Sequence, residues 1–242
     1  MKCLILAAGY ATRLYPLTEN FPKPLLKVAD KPILDWLIED LNNTGLIDEY
    51  IVVTNHKFAP IFEEWAAQHE SPIHVIDDGT STNETRLGAV RDIALGIHTR
   101  NIDEDLLVMA GDNLLTFSLQ GFLDYAREKC TTCIMRFYQP DENKLRKCGV
   151  AEVDANDLIL SMEEKPANPK SHWCCPPFYY YRKEDLKLVD QGIAEGCGTD
   201  APGSFIAWLC ARIPVHAWPM PGERLDIGNL ESYEEAQKQF AK

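Results

Sequence analysis

The sequence predicts an α/β protein, with a mostly parallel sheet carrying helices on both faces, continued by a mixed α+β half. Over the first 110 residues, short apolar runs alternate with segments of helical spacing, and parallel neighbours need such crossover connections. Past Arg127 the pattern changes to closely spaced strands. The composition, 45% hydrophobic and 25% charged, belongs to a folded globular chain and not to a disordered one.

Lys2 to Ala7 is a short apolar run that suits a buried strand, and the loop after it holds Gly9, Pro16, Pro22 and Pro24. From Lys31 to Asn43, residues Ile33, Leu34, Leu37, Ile38 and Leu41 recur at helical spacing, with Gly45 as the stop signal. Tyr50–Val53 and Ile73–Ile76 read as strands, Ile61–Ala67 and Leu87–Ile97 as helices, and Leu106–Ala110 as another buried strand. A helix near Leu119–Arg127 precedes expected strands at Thr132–Phe137, Gly149–Val153, Leu158–Met162 and Phe178–Tyr181. Two further helices, a late strand at Ile213–Trp218 and a final helix at Tyr233–Phe240 complete the pattern.

There are 24 basic and 37 acidic side chains, a net charge of −13, which argues against bulk binding to nucleic acid or to an anionic membrane. No apolar run reaches the length of a membrane helix and the start lacks a signal peptide, so the chain reads as cytoplasmic. Eight cysteines in 242 residues fall far below disulfide-scaffold density, and reduced thiols are expected. Neither Cys174-Cys175 nor Cys130-x-x-Cys133 has a partner pair at zinc-ligand spacing.

The loop after the first strand, Leu6-Ala7-Ala8-Gly9-Tyr10-Ala11-Thr12-Arg13, is built of small residues that let backbone approach a ligand, and Arg13 adds a cation for phosphate oxygens. Lys23, held between Pro22 and Pro24, adds a second. The loop matches neither the dinucleotide glycine fingerprint nor the P-loop. A purely structural turn remains the alternative for it.

The whole run LAAGYATRLYPLTENFPKPLLKVADKPIL resembles the amino-terminal signature of sugar-1-phosphate nucleotidylyltransferases, with Ala11 where the family usually has glycine. Ala110-Gly111-Asp112-Asn113 is similar to the family's metal turn, and Cys148-Gly149-Val150-Ala151-Glu152 to its Gly-Val-x-Glu strand. Glu163-Glu164-Lys165-Pro166 is similar to its Glu-Lys-Pro motif and Leu225-Asp226-Ile227-Gly228 to its late Asp-x-Gly. The resemblance spans almost the whole chain and implies a Rossmann-like fold. It implies one nucleotidyltransferase domain over 1–242, with a nucleotide-binding half at 1–115 and a half that binds sugar and completes the metal site at 116–242.

By the same resemblance the substrates are a nucleoside triphosphate and a sugar 1-phosphate, the products a nucleoside diphosphate sugar and pyrophosphate. Arg13, Lys23 and Lys165 match the catalytic cations; Leu6, Ala7, Ala8, Gly9, Asn83 and Gly88 the nucleotide contacts; Gly149, Glu164 and Tyr179 the sugar contacts; Asp112 and Asp226 the ligands of Mg²⁺. A sugar 1-phosphate is already an anionic nucleophile, so the reaction needs positioning and charge neutralisation more than a general base.

Two segments depart from the family. The glutamine that commonly reads a pyrimidine is replaced by Asn83, and a two-proline entry, Pro176-Pro177, stands before the matching tyrosine. The resemblance is nearest to the glucose-1-phosphate thymidylyltransferase branch, with guanylyl- or cytidylyltransferases for another sugar or alcohol phosphate as alternatives. A non-catalytic nucleotide-sugar-binding subunit is the rival from another class, and a homo-oligomer is left open.

Overall fold

A computed structural model describes residues 1–240 and organises the chain as two units, each drawn from separated segments. The first takes Met1–Arg86, Ala110–Gln120 and the segment from Pro221 on; the second takes Leu87–Met109 and Gly121–Met220. In chain order the elements are β1 (Lys2–Leu6), β2 (Lys27–Val28), β3 (Lys31–Pro32), α1 (Ile33–Thr44), β4 (Glu49–Thr54), α2 (Ala59–Ala66), β5 (Ile73–Asp77), α3 (Ala89–Thr99), β6 (Leu106–Ala110) and β7 (Asn113–Leu115). There follow α4 (Gln120–Lys129), β8 (Thr132–Tyr138), α5 (Glu142–Leu145), β9 (Gly149–Val153), β10 (Ile159–Glu164), β11 (Trp173–Cys175) and β12 (Phe178–Tyr181). The last elements are α6 (Lys183–Leu186), α7 (Val189–Ala194), α8 (Gly203–Leu209), β13 (Val215–Pro219), β14 (Arg224–Asp226) and α9 (Leu230–Phe240).

In the first unit, β4 pairs in parallel with both β1 and β5, as the strand–helix alternation predicts. Cys3, Leu4 and Ile5 of β1 and Ile51, Val52 and Val53 of β4 have no exposed surface, which is why these strands read as unbroken apolar runs. α1 buries the expected stripe, Ile33, Leu34, Leu37, Ile38 and Leu41, and each such side chain contributes about 1.5–3 kcal/mol. The helix stops at Gly45, whose φ of 65° is the left-handed cap that glycine takes without steric cost. β14 pairs antiparallel with β7, so the carboxyl-terminal segment belongs to the same unit as the amino-terminal one. Leu14, Leu26, Val28, Ile33, Leu114, Ile227 and Ala236 form the apolar cluster behind this pairing.

The loop after β1 turns through a residue that has a cost. Ala11 lies at φ 46° and ψ 42°, and its carbonyl accepts from the Leu14 amide at 2.9 Å and the Thr18 hydroxyl at 2.8 Å. The left-handed region crowds a Cβ, which explains why glycine is the usual residue of this loop.

The second unit is a strand array in the order β10-β9-β11-β8-β12-β6, antiparallel throughout, with β13 added in parallel to β8. β10 extends to Glu164, two residues beyond the expected strand, and the three-residue β11 was not visible in the sequence pattern. Gly88 opens α3 at φ 92°, and a Cβ there would lie 2.5 Å from the Thr199 carbonyl oxygen. This close approach lets the first amides of α3, Ala89 and Val90, donate to the carbonyls of Asp200 and Thr199.

The expectation of reduced thiols fails at one pair. Cys148 and Cys174 form a disulfide, because pairing of β11 with β9 sets Cys174 opposite Val150 and brings the two Cα atoms to 6.2 Å. Cys3, Cys130, Cys133, Cys175, Cys197 and Cys210 are free thiols.

Two substitutions test these backbone arguments in opposite directions. Ala11→Gly relieves the left-handed Cβ and is expected to raise the melting temperature by roughly 2–4 °C, for about 1 kcal/mol gained. Gly88→Ala forces a Cβ onto the Thr199 carbonyl and is expected to lower it by at least about 5 °C. Thermal unfolding followed by circular dichroism reads both.

A candidate phosphate-transfer site

Lys23 occupies a one-turn 3₁₀ helix between Pro22 and Pro24 and is 8% exposed. Pro22 is extended and Pro24 presets its own φ, so this segment has little freedom to withdraw the side chain. Its ammonium donates to Asp112 Oδ2 at 2.6 Å and lies 3.8 Å from Asp226 Oδ1.

Backbone packing delivers each carboxylate. A Cβ at Gly111 would come 3.0 Å from Ile5 Cγ2 and 3.3 Å from Pro24 Cβ, so glycine lets the turn after β6 lie directly on the Pro24 ring and carries Asp112 to Lys23. Asp226 arrives through the β14–β7 register, where it stands opposite Asn113. Asn113 Nδ2 donates to Asp112 Oδ1 at 2.9 Å, and the Arg224 guanidinium donates to Asn113 Oδ1 at 2.5 Å. Arg224 also lies 3.7 Å from Asp226 Oδ2. Burial pushes the Asp112 carboxyl up, but the charge and hydrogen bond of Lys23, with the charge of Arg224, outweigh it and leave the group below its ordinary value.

Arg224 was missed by motif reading. Its only sequence signal is the two-residue spacing from Asp226, which puts both on one face of a strand.

Two carboxylates that share one ammonium are placed so that a single cation can engage both. Their oxygens are hard donors, and the Asp226 side chain is 52% exposed, so the pair fits a Mg²⁺ ion that keeps several non-protein ligands. Among the described residues no group of three or more His, Cys, Asp or Glu side chains is placed to hold a metal ion.

The rest of the expected nucleotide contacts in this unit line the end of β1. The carbonyls of Leu6, Ala7 and Ala8 are taken by the Gly111 amide, the Thr54 hydroxyl and the Asn55 side-chain amide, and Gly9 is exposed at the turn. Arg13 is exposed in the first 3₁₀ turn and its guanidinium makes no ion pair or hydrogen bond with another described residue. Asn83 is exposed, with its carbonyl accepting from Arg86.

The second unit holds the residues expected at the sugar. Glu164 ends β10 opposite Gly149 of β9. Burial raises the Glu164 carboxyl, with Lys165 opposing and Asp200 adding to the rise. Lys165 follows at φ 50°, its amide bonded to the Cys148 carbonyl at 3.0 Å and its side chain exposed. Tyr179 is different: it is 2% exposed, in the middle of β12, with its ring 6.2 Å from that of Tyr181. Gly88, expected to touch the nucleotide, has a sufficient packing reason in the Thr199 contact described above. The structure thus gathers Lys23, Asp112 and Asp226 in the first unit and Gly149, Glu164 and Lys165 in the second.

Comparison with known proteins matches the chain to one family. The model of the nucleotidyl transferase family matches residues 2–242. The bifunctional protein GlmU of Methanocaldococcus jannaschii is 30% identical over 240 residues, covering 98% of this chain and 54% of that one. A glucose-1-phosphate thymidylyltransferase of Mycobacterium tuberculosis is 29% identical over 211 residues, covering 85% and 67%. The chain therefore spans about half to two thirds of the length of these relatives. The crystal structure of an apo UDP-glucose pyrophosphorylase has the same fold, with a TM-score of 0.83 at 19% identity over 99% of this chain and 97% of that one. No helix among the described residues is long and apolar enough to cross a membrane. With its Rossmann-like first unit and the full order of its motifs, the chain belongs to the nucleotidyl transferase family.

Proposed function

We propose that this protein transfers a nucleoside monophosphate from a nucleoside triphosphate to a sugar 1-phosphate and releases pyrophosphate. The observation that carries the proposal is the Lys23–Asp112–Asp226 cluster, drawn together from three distant segments of the chain. A phosphate oxygen of the sugar 1-phosphate attacks the α-phosphorus in line, and the bond to the pyrophosphate oxygen breaks. The nucleophile is already ionised, which accounts for a site rich in cations and carboxylates without a dedicated base.

Each side chain then has a defined part. Arg13, exposed and without a protein partner, takes triphosphate oxygens in the bidentate way a guanidinium allows. Lys23 faces the leaving pyrophosphate. Lys165 pairs with the sugar phosphate, and the Glu164 carboxylate accepts from sugar hydroxyls. Asp112 and Asp226 would hold Mg²⁺, which when bound would supply charge neutralisation of the phosphates. Thymidine triphosphate with glucose 1-phosphate is the substrate pair placed first, on the sequence resemblance and on the thymidylyltransferase relative. Asn83 in the position of a base-reading glutamine makes other nucleobases the alternatives to be tried beside it.

Pyrophosphate release from a panel of triphosphates and sugar 1-phosphates in Mg²⁺ tests the reaction. Turnover is expected for at least one pair and loss of turnover on chelation; no release from any pair would favour a binding subunit without catalysis. Asp226→Asn is expected to fold normally, since the side chain is half exposed, and to lose about 100-fold or more in kcat. Lys165→Ala is expected to raise KM for the sugar phosphate by about 10- to 100-fold, the cost of one charge-assisted contact, with the melting temperature unchanged.

A further inference from the structure

We infer that Gly203 is a positioning residue: by lacking a side chain it seats the Glu164 carboxylate, and so sets how tightly the sugar phosphate is held. The inference rests on the reaction proposed above and assigns a part to a residue that no motif contains.

Glu164 lies at the end of β10, against which α8 packs, and α8 begins at Gly203. A Cβ at Gly203 would overlap Glu164 Oε2 and come 3.2 Å from Met162 Cε. Across the strand pair, a Cβ at Gly149 would lie 2.6 Å from the same Met162 Cε and 3.1 Å from the same carboxylate oxygen. The carboxylate thus occupies a slot bounded by two residues without side chains, with the Met162 methyl as its floor. Gly88 and Gly198 have positive φ and are explained by conformation, but Gly203 does not. It is an ordinary helical residue, and alanine would suit the helix better. Space is what the glycine supplies.

The slot places the carboxylate by shape, and the charge of Lys165 attracts it. The Glu164 carboxylate forms no hydrogen bond or ion pair with another described residue, although the residue is half buried. Its acceptor positions are therefore open to hydroxyl donors from a ligand. With no hydrogen bond to hold it, the carboxylate can be displaced by a group that fills the slot. A methyl group at Gly203 turns the carboxylate out by an ångström or more, which is enough to break a hydrogen bond to a hydroxyl. Binding of the polyol part suffers; the phosphates of the triphosphate do not depend on this contact.

The test is steady-state kinetics of Gly203→Ala with glucose 1-phosphate, or with the sugar phosphate that the panel selects in its place. KM for the sugar phosphate is expected to rise about tenfold or more while KM for the triphosphate stays within about twofold. In a Glu164→Ala background the same substitution is expected to add less than about twofold, since the group it displaces is gone. An unchanged KM, or an equal loss in both backgrounds, overturns the assignment. Should Gly203→Ala lower the melting temperature, Glu164→Asp in the same chain is expected to restore it, because the carboxylate is one methylene shorter; no restoration counts against the contact and against the proposal. A wild-type chain that releases no pyrophosphate defeats the proposed reaction instead, whereas an active wild type with an indifferent variant defeats only the role of Gly203.

Discussion

The first unit depends on the electrostatic balance around one nearly buried ammonium. Asp112 and Asp226 would repel each other if they were brought together alone, and Lys23 is the charge that lets them share a place. Only Lys23 is nearly buried, so losing Asp112 would leave its ammonium without its main counter-charge, whereas the half-exposed Asp226 can be exchanged at little cost to the fold. Arg224 extends the balance by fixing Asn113, which in turn holds the second oxygen of Asp112. The cluster is therefore a structural clasp between the proline-flanked segment before β2, the turn before β7 and strand β14.

Cations with and without protein partners divide the work. In a chain of net charge −13, most basic side chains that meet an acid are neutralised by it. Lys23 is committed in this way, with its ammonium held between carboxylates. Arg13 and Lys165 are exposed, and neither side chain is drawn into an ion pair with another described residue. Such a pattern suits an anionic ligand that supplies the missing counter-charge.

Glycine enters this architecture for two separable reasons. At Gly45 and Gly88 the backbone is left-handed or extended at positive φ, and Ala11 shows the price of a Cβ in that region. At Gly111, Gly149 and Gly203 the conformation is ordinary and the absent side chain makes room: for the Pro24 ring in one case, for the Glu164 carboxylate in the other two. The second kind is invisible to turn signals, because the neighbour that needs the room comes from a distant part of the chain.

Apolar periodicity, a short-range property, was enough to locate β1, α1, β4, α2, β5 and α3, since each of these elements buries a stripe or run set by its own residues. Lys23, Asp112 and Asp226, each singled out by its own motif, come together in the structure. What the order of residues could not decide was every feature made by pairing between distant segments: β14 against β7, the recruitment of Arg224, the Cys148–Cys174 bond that overturned the reduced-thiol expectation, and the slot between Gly149 and Gly203. Those arise from strand register and from contacts of a few ångströms, and both exist only once the chain has closed on itself.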